Sequence, residues 1–453
     1  MIAGVVHLTS KTKYGMTSRN VPMYLFRPLN PKQPLFIVGC SQPNLYVNLL
    51  ALVEPMDMTQ RIPRANIVQV LGPCGDWTVE RKAIQWTHRP HKPPKIEGAL
   101  KLPSETGRLD LRGFQTLHVD PPGCVDVDDC VTFLENGFVV TIADVGAWVA
   151  ANPALEAFAT QGETLYEGGR AVRPLFPIEL SEGTFSLLLG EDRFGVSIVY
   201  ENGKPPYWTR SIVRVTESYT YDDVVDLREL KLAAQCAKGK ILGDDPHEWI
   251  ETLMVSYNAF MAEELIARSK GLFRGHSAPN AERMQNYQRI CPEASRLAES
   301  AAVYQSFTDR TPHWGLKVDS YAHTTSPIRR WADVHNQMVL LGLDPPEPTE
   351  SLNALNKATK KYERDLFFLT QLQTPRVMVG TVLEVLEEKS KVWVTDWQRT
   401  VTVRTTEFEV GTQVVLDYYL DMNQPTWKTR MVIRATRADT SCPESQSLVP
   451  APL

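Results

Sequence analysis

The sequence predicts an α+β protein in which a central mixed domain is flanked by two small β-barrels. Three observations carry that prediction: five short strand-like runs crowd into residues 1–95, five more into 376–437, and between them hairpin chemistry alternates with long helical periodicity. A chain of 453 residues, 43% hydrophobic and 22% charged, has room for about two to four domains and the composition of a globular protein. No apolar run approaches the roughly 18 residues of a membrane span, and no signal-peptide core stands at the N-terminus. The expectation is a cytoplasmic, intracellular protein without a membrane partner. Seven cysteines, odd in number and without a C-x-x-C pair, argue against a disulfide framework or a zinc site.

Taken in order, residues 1–95 carry G-V-V-H-L, P-M-Y-L-F-R, L-F-I-V-G-C, L-Y-V-N-L-L-A-L-V and A-N-I-V-Q-V-L-G, separated by turn residues. Five such strands suit a small antiparallel barrel of OB or cold-shock type. Four prolines within 88–103 predict a linker. From 114 a strand, F-Q-T-L-H-V, runs to Asp120 and a Pro121-Pro122-Gly123 turn. Asn136-Gly137, between two apolar runs, is a strong hairpin signal. Over 246–270, Ile250, Leu253, Met254, Tyr257, Met261 and Leu265 recur at helical spacing and predict a long core helix. Further helices are expected near 280–305 and 350–372. The runs in 376–437 predict a second barrel, on which Trp393, Trp397, Tyr418, Tyr419 and Trp427 are either stacking surfaces or core. Residues 438–453 read as a disordered tail.

The formal net charge of −5 seems to disfavour a nucleic-acid partner, but it is unevenly spread. Residues 1–100 hold 12 Lys+Arg against 5 Asp+Glu, net +7, while 101–375 hold 27 against 38, net −11. A basic N-terminal module is thus joined to an acidic centre.

The sharpest part of that centre is H-V-D-P-P-G-C-V-D-V-D-D-C, residues 118–130, with Asp120, Asp126, Asp128 and Asp129 in an otherwise apolar setting. Carboxylates packed so closely repel and raise one another's pKa unless a cation is present, and Mg²⁺ is the hard cation that takes carboxylate, water and phosphate oxygens. The bland alternative is a solvated acidic loop. A calcium loop of EF-hand type does not fit, because the glycine is misplaced and no glutamate closes the loop. A second segment, Y-A-H-T-T-S-P-I-R-R-W-A-D-V-H (321–335), reads as a helix beginning at Ser326-Pro327. Arg329 and Arg330 would then fall in the first turn, where a cation is unfavourable unless an anion such as phosphate sits there. Alternatively, Arg329 only pairs with Asp333 four residues on.

Together these segments resemble the catalytic (RNB) domain of the ribonuclease II family of 3′-to-5′ exoribonucleases. Asp120, Asp126, Asp128 and Asp129 match its D-x(5)-D-x-D-D signature, and Thr325 through Arg330 match T-S-P-I-R-R. The landmarks I-A-D-V (142–145), R-A-V-R-P-L-F-P-I-E-L-S-E-G-T-F-S-L (170–187) and E-T-L-M-V-S-Y-N (251–258) follow in the family's order. The resemblance implies a cold-shock-like OB barrel at 1–95, an RNB domain at 104–372, an OB-fold at 376–437 and the tail at 438–453. Bacterial members usually carry two N-terminal barrels, and this chain has room for one.

Carried over by position, Asp120, Asp126, Asp128 and Asp129 would be magnesium ligands, with Asp128 also positioning or activating the attacking water. Arg329 would neutralise charge on the scissile phosphate. Tyr166 would clamp the terminal base, and Tyr221 would line the 3′ end or simply be core. Thr325, Ser326, Arg330 and Glu251 complete the expected RNA contacts. Where the family commonly has glutamate this chain has Thr252, so that role is in doubt or shifted to Glu251. The implied activity is hydrolysis of single-stranded RNA to nucleoside 5′-monophosphates by a monomer using two Mg²⁺ ions, with Mn²⁺ able to substitute. A non-catalytic RNA-binding protein on the same fold is the rival reading, and a nuclease with a DNA or internal-cleavage preference is a third.

Overall fold

The structure is a computed structural model that describes residues 1–42, 45–371, 373–374, 376–421 and 423–438. The tail expected at 438–453 lies, apart from Ala438, outside the described residues. Two compact units emerge. One comprises Met1–His91, Pro279–Ser300 and the chain from Lys361 onward; the other comprises Lys92–Ala278 and Ala301–Lys360.

In the first unit, β1 (Ile2–Val6), β2 (Met23–Pro28), β3 (Phe36–Gly39), β4 (Leu49–Asp57) and β5 (Arg64–Pro73) close into a barrel of order β1-β2-β3-β5-β4. Closure leaves no sheet edge, and Val6, Phe26, Phe36, Val38, Ala51 and Val53 fill the interior. At Gly4 a Cβ would fall 2.4 Å from the Arg27 carbonyl oxygen, so only glycine allows β1 to cross β2 there. Helix α1 (Trp77–His88) follows, unforeseen among the strand runs. Its start has a local cause, since Asp76 accepts the Val79 N–H at 3.1 Å and Glu80 accepts the Gly75 N–H at 3.0 Å.

The second unit is built on a seven-stranded sheet of β6 (Leu109–Asp110), β7 (Thr116–Val119), β8 (Asp129–Leu134), β9 (Gly137–Ala143), β12 (Asp192–Glu201), β13 (Tyr207–Arg214) and β14 (Glu217–Tyr219). Its order is β14-β7-β8-β9-β12-β13-β6, antiparallel except at the outer β14-β7 and β13-β6 pairs. Between β9 and β12 stand α2 (Val145–Ala151) and the small hairpin of β10 (Leu165–Glu167) and β11 (Arg170–Arg173). Strand β9 is nearly all apolar because both its faces are covered. Val139 joins the core that contains α2, and Val140 and Ile142 join the core formed with α3 (Arg228–Lys238) and α4 (Pro246–Ala267). The expected long helix is α4, with Ile250, Leu253, Tyr257, Met261 and Leu265 buried and Met254 half-buried.

The β8-β9 hairpin forms, but its two turn residues are Glu135 and Asn136, one position earlier than the Asn-Gly signal suggests. Gly137 already pairs with Leu134, and a Cβ on it would meet the Tyr200 carbonyl oxygen of β12 at 1.9 Å. Close strand approach, not turn geometry, requires that glycine.

The helix expected over 280–305 is a correction. After β15 (Phe273–Gly275), α5 (Ala281–Ile290) stops at Cys291, Pro292 begins a 3₁₀ stretch to Ala298, and Val303–Gln305 is strand β16, paired with β15. Proline disfavours the helical conformation in the residue before it, and Cys291 is extended at φ −154°. Helices α6 (Trp331–Leu340) and α7 (Thr349–Gln371) follow, the latter close to the expected 350–372.

Back in the first unit, β17 (Val377–Leu386), β18 (Lys389–Val394), β19 (Arg399–Val403), β20 (Gln413–Leu420) and β21 (Met431–Arg437) form a sheet of order β19-β18-β17-β20-β21. Among the described residues it is hydrogen-bonded as an open, half-barrel sheet, in the place where the small second barrel was expected. Trp393, Trp397, Tyr418 and Trp427 are buried, 4% exposed or less, and so are core, whereas Tyr419 is 41% exposed. No helix among the described residues is long and apolar enough to cross a membrane.

Candidate active site

The four aspartates lie where β7 leaves the sheet and β8 re-enters it. Asp120 follows β7, its backbone N–H donating to the Tyr219 carbonyl at 3.1 Å, and Pro121–Cys124 form a turn with Gly123 at φ 80°. The return stretch is pinned by Ser186 and Leu187, distant in sequence. Ser186 Oγ accepts the Val127 N–H at 3.0 Å and donates to the Val125 carbonyl at 2.8 Å, while the Leu187 N–H donates to the Val127 carbonyl at 3.0 Å. The chain is thus held extended until Asp129 pairs with Ile142.

Asp128 is the buried member, its side chain 4% exposed. Its Oδ1 accepts the Ile328 backbone N–H at 3.0 Å and its Oδ2 accepts Arg329 Nε at 3.0 Å. Burial pushes its carboxyl from the ordinary 3.8 up to about 7, although Arg329 and the Ile328 N–H pull the other way. Asp129 accepts no hydrogen bond from a protein donor among the described residues. Burial, then the charges of Asp120 and Asp128, hold its pKa well above the usual range. Asp120 Oδ2 lies 2.9 Å from His118 Nδ1, and Asp126 accepts the Tyr166 hydroxyl.

The T-S-P-I-R-R segment does not start a helix at Ser326-Pro327. Residues 327–329 form a turn, Arg330 is the N-terminal flanking residue, and α6 begins at Trp331. The physical reason is tertiary. Glu163 forms an isolated antiparallel β-bridge with Arg330, the Thr164 N–H bonds the Arg329 carbonyl at 2.9 Å and the Trp331 N–H bonds the Gly162 carbonyl at 2.8 Å, drawing Arg330 into extended backbone. The pairing Arg329–Asp333 is also absent. Arg330 makes that contact, with Nε and Nη2 at 2.9 and 2.8 Å from fully buried Asp333, which also accepts the Ser326 N–H at 2.7 Å. Arg329, half exposed, spans Asp128 and Ser326 Oγ, the latter at 3.0 Å.

The remaining expected residues divide by environment. Thr325 Oγ1 accepts Asn258 Nδ2 at 3.1 Å. Tyr221 lies near the cluster, where burial, then Asp129 and Asp120, push its hydroxyl up to about 12. Glu251 is exposed on α4, and Thr252 is buried. Three contributors were not foreseen. His118 was legible as H-x-D, two residues before Asp120 on one strand face. Asn258 and Ser186 lay inside quoted landmarks, but nothing local reveals what they bond.

Among the described residues, no three His, Cys, Asp or Glu side chains converge closely enough to hold a metal ion unaided. The donor chemistry still fits a hard cation. Asp120 and Asp128 add to burial in raising the pKa of Asp129, and Mg²⁺ usually takes only one or two carboxylates, with water and substrate phosphate filling its octahedron.

The RNB domain family model matches residues 108–242 and 240–343. The exosome complex exonuclease RRP44 of Homo sapiens is 25% identical over 442 residues, covering 74% of this chain and 46% of that protein. Ribonuclease R of Helicobacter pylori is 24% identical over 439 residues, covering 75% and 66%. The chain therefore spans about half the length of the first of these relatives. Among solved structures, Mycoplasma genitalium RNase R in complex with ribose methylated single-stranded RNA aligns with a TM-score of 0.73 at 16% identity, covering 95% of this chain and 89% of that one. Yeast Ssd1, described as a pseudonuclease, aligns at 0.66 with 14% identity, covering 92% and 66%. These two likenesses are of fold.

Proposed function

The chain belongs to the RNB-domain family, the ribonuclease II family, and from that premise we propose that it is a magnesium-dependent 3′-to-5′ exoribonuclease releasing nucleoside 5′-monophosphates from single-stranded RNA. The observation that carries this reading is Asp128, a buried carboxylate held between the Ile328 N–H and Arg329 beside Asp129 and Asp120.

Asp128, titrating near neutrality, suits a group that orients the attacking water and takes its proton. Arg329, with half its side chain exposed, can turn its remaining N–H groups to the scissile phosphate, and charge stabilisation of that kind is typically the largest catalytic contribution. Magnesium held by Asp120 and Asp129, with Asp126 beside them, would supply Lewis-acid stabilisation of the phosphoryl oxygens. Tyr166, tethered to Asp126 through its hydroxyl, offers its ring to the terminal base. Glu251, exposed on α4, is available to a ribose hydroxyl in place of the buried Thr252. Arg330, Thr325 and Ser326 hold the loop that presents Arg329, by their bonds to Asp333, Asn258 and Arg329.

The test is 5′-labelled single-stranded RNA incubated with Mg²⁺ and wild type or Asp128→Asn. Shortening from the 3′ end by wild type alone is expected. No shortening, or equal shortening by both, would refute it. The fold likeness to a pseudonuclease favours one second reading, a non-catalytic RNA binder. RNA bound but left intact by wild type would establish that reading.

A further inference from the structure

Tyr221 follows β14 at the tip of a turn, so something other than regular structure must hold its ring. The turn is braced internally, with the Thr220 N–H and Oγ1 both donating to Asp223 Oδ2 at 2.9 and 2.6 Å. That contact shapes the backbone but leaves the side-chain torsions of the next residue free. The half-buried ring packs against the core formed with α3 and α4, and it lies flat on the imidazole of His247, with centroids 3.8 Å apart and planes inclined by 15°.

His247 is well placed to be a fixed support. It is the second residue of α4, and its backbone N–H donates to the capping Asp245 Oδ1 at 2.9 Å. The same helix start is anchored by buried Trp249 and Ile250. His247 itself stays exposed, so the stack is its evident side-chain engagement. The supported ring keeps the Tyr221 hydroxyl where the charges of Asp129 and Asp120 act on it.

We infer that His247 is a positioning residue, which holds Tyr221 in the orientation that receives the 3′ end of RNA. The inference rests on the proposed role of Tyr221 at that end. Without the stack only the core contact restrains the tyrosine, its productive rotamer is populated less, and apparent affinity falls in proportion to the fraction correctly oriented. An aromatic stack of this kind corresponds to about three- to tenfold.

The test is a double-mutant cycle read by fluorescence anisotropy of a 5′-labelled single-stranded RNA, with Ca²⁺ replacing Mg²⁺. His247→Ala should weaken binding by about three- to tenfold in the wild-type background and by less than about twofold on Tyr221→Ala. His247→Phe, which keeps a flat ring, should stay within about twofold of wild type. Equal losses in both backgrounds, no loss, or a phenylalanine variant as weak as alanine would overturn the inference. If wild type binds and shortens RNA but the cycle is additive, only His247 falls. If wild type neither binds nor shortens RNA, the nuclease reading falls with it.

Discussion

Replacing Asp128 by asparagine separates chemistry from folding. Raising a carboxyl from 3.8 to about 7 amounts to about 4 kcal/mol of penalty for keeping it charged in the native state. Asparagine removes that penalty and keeps the shape. Its amide presents a donor either to the Ile328 N–H or to Arg329 Nε, losing a charge-assisted bond of about 1.5–3 kcal/mol. The balance is about 1 to 2.5 kcal/mol in favour of the variant. The pH dependence has a definite sign. Because the native carboxyl binds its proton more tightly than the unfolded one, stability falls as pH rises from about 4 through about 7, and the variant lacks that slope. Hydrolysis of labelled RNA should drop by at least about 10³-fold. Denaturant unfolding at pH 7 without divalent cation, beside the RNA assay, reads both quantities. A folded variant within tenfold of wild-type activity would refute the reasoning, as would a loss of activity explained by unfolding.

Three further outcomes follow from other buried groups. Asn258, 2% exposed, bonds Tyr321, Thr325 and both donors of Thr324, so Asn258→Ala should destabilise the protein by about 2–4 kcal/mol in denaturant unfolding. Arg430 Nη1 lies 2.7 Å from Glu80 with both side chains buried, and Arg430→Ala should lower stability by about 3–5 kcal/mol; a loss under 1 kcal/mol would show the pair to be dispensable. Asp365 is buried, which alone would raise its pKa, but hydrogen bonds from His88 and Lys428 outweigh that and hold it at about 2. Its folded pKa is depressed, so about 2 kcal/mol of stability present above pH 4 should be lost as pH falls toward 2, and acid titration of Asp365→Asn should lack that component.

Local pattern made much of the architecture legible. Short apolar runs bounded by turn residues marked the N-terminal barrel strands, and three- and four-residue spacing marked α4. The acidic cluster, the arginine pair and their family likeness were all readable in residues 118–130 and 321–335. Expectations failed where a distant partner overrode a local signal. Gly137 answers to β12 and not to its own turn, and Pro327 does not start a helix because residues 162–164 pair with 329–331. For the aromatics of 376–437 the choice between stacking surface and core was left open, and burial decided it as core for all but Tyr419, since a strand's residues do not say which face the sheet will cover.

By itself, then, the sequence determined which chemistry is available: four carboxylates, two arginines and the strands and helices that carry them. Only the tertiary structure decided which of them meet. Asp128 and Arg329 are 201 positions apart, and no spacing rule distinguishes Arg329 from Arg330 as the partner. That choice is made by Asp333, which takes Arg330, and by the Ile328 N–H, which brings the turn onto Asp128. Periodicity and capping act over a few residues of one chain segment, whereas burial and charge pairing depend on which surfaces close against each other once the sheet has formed.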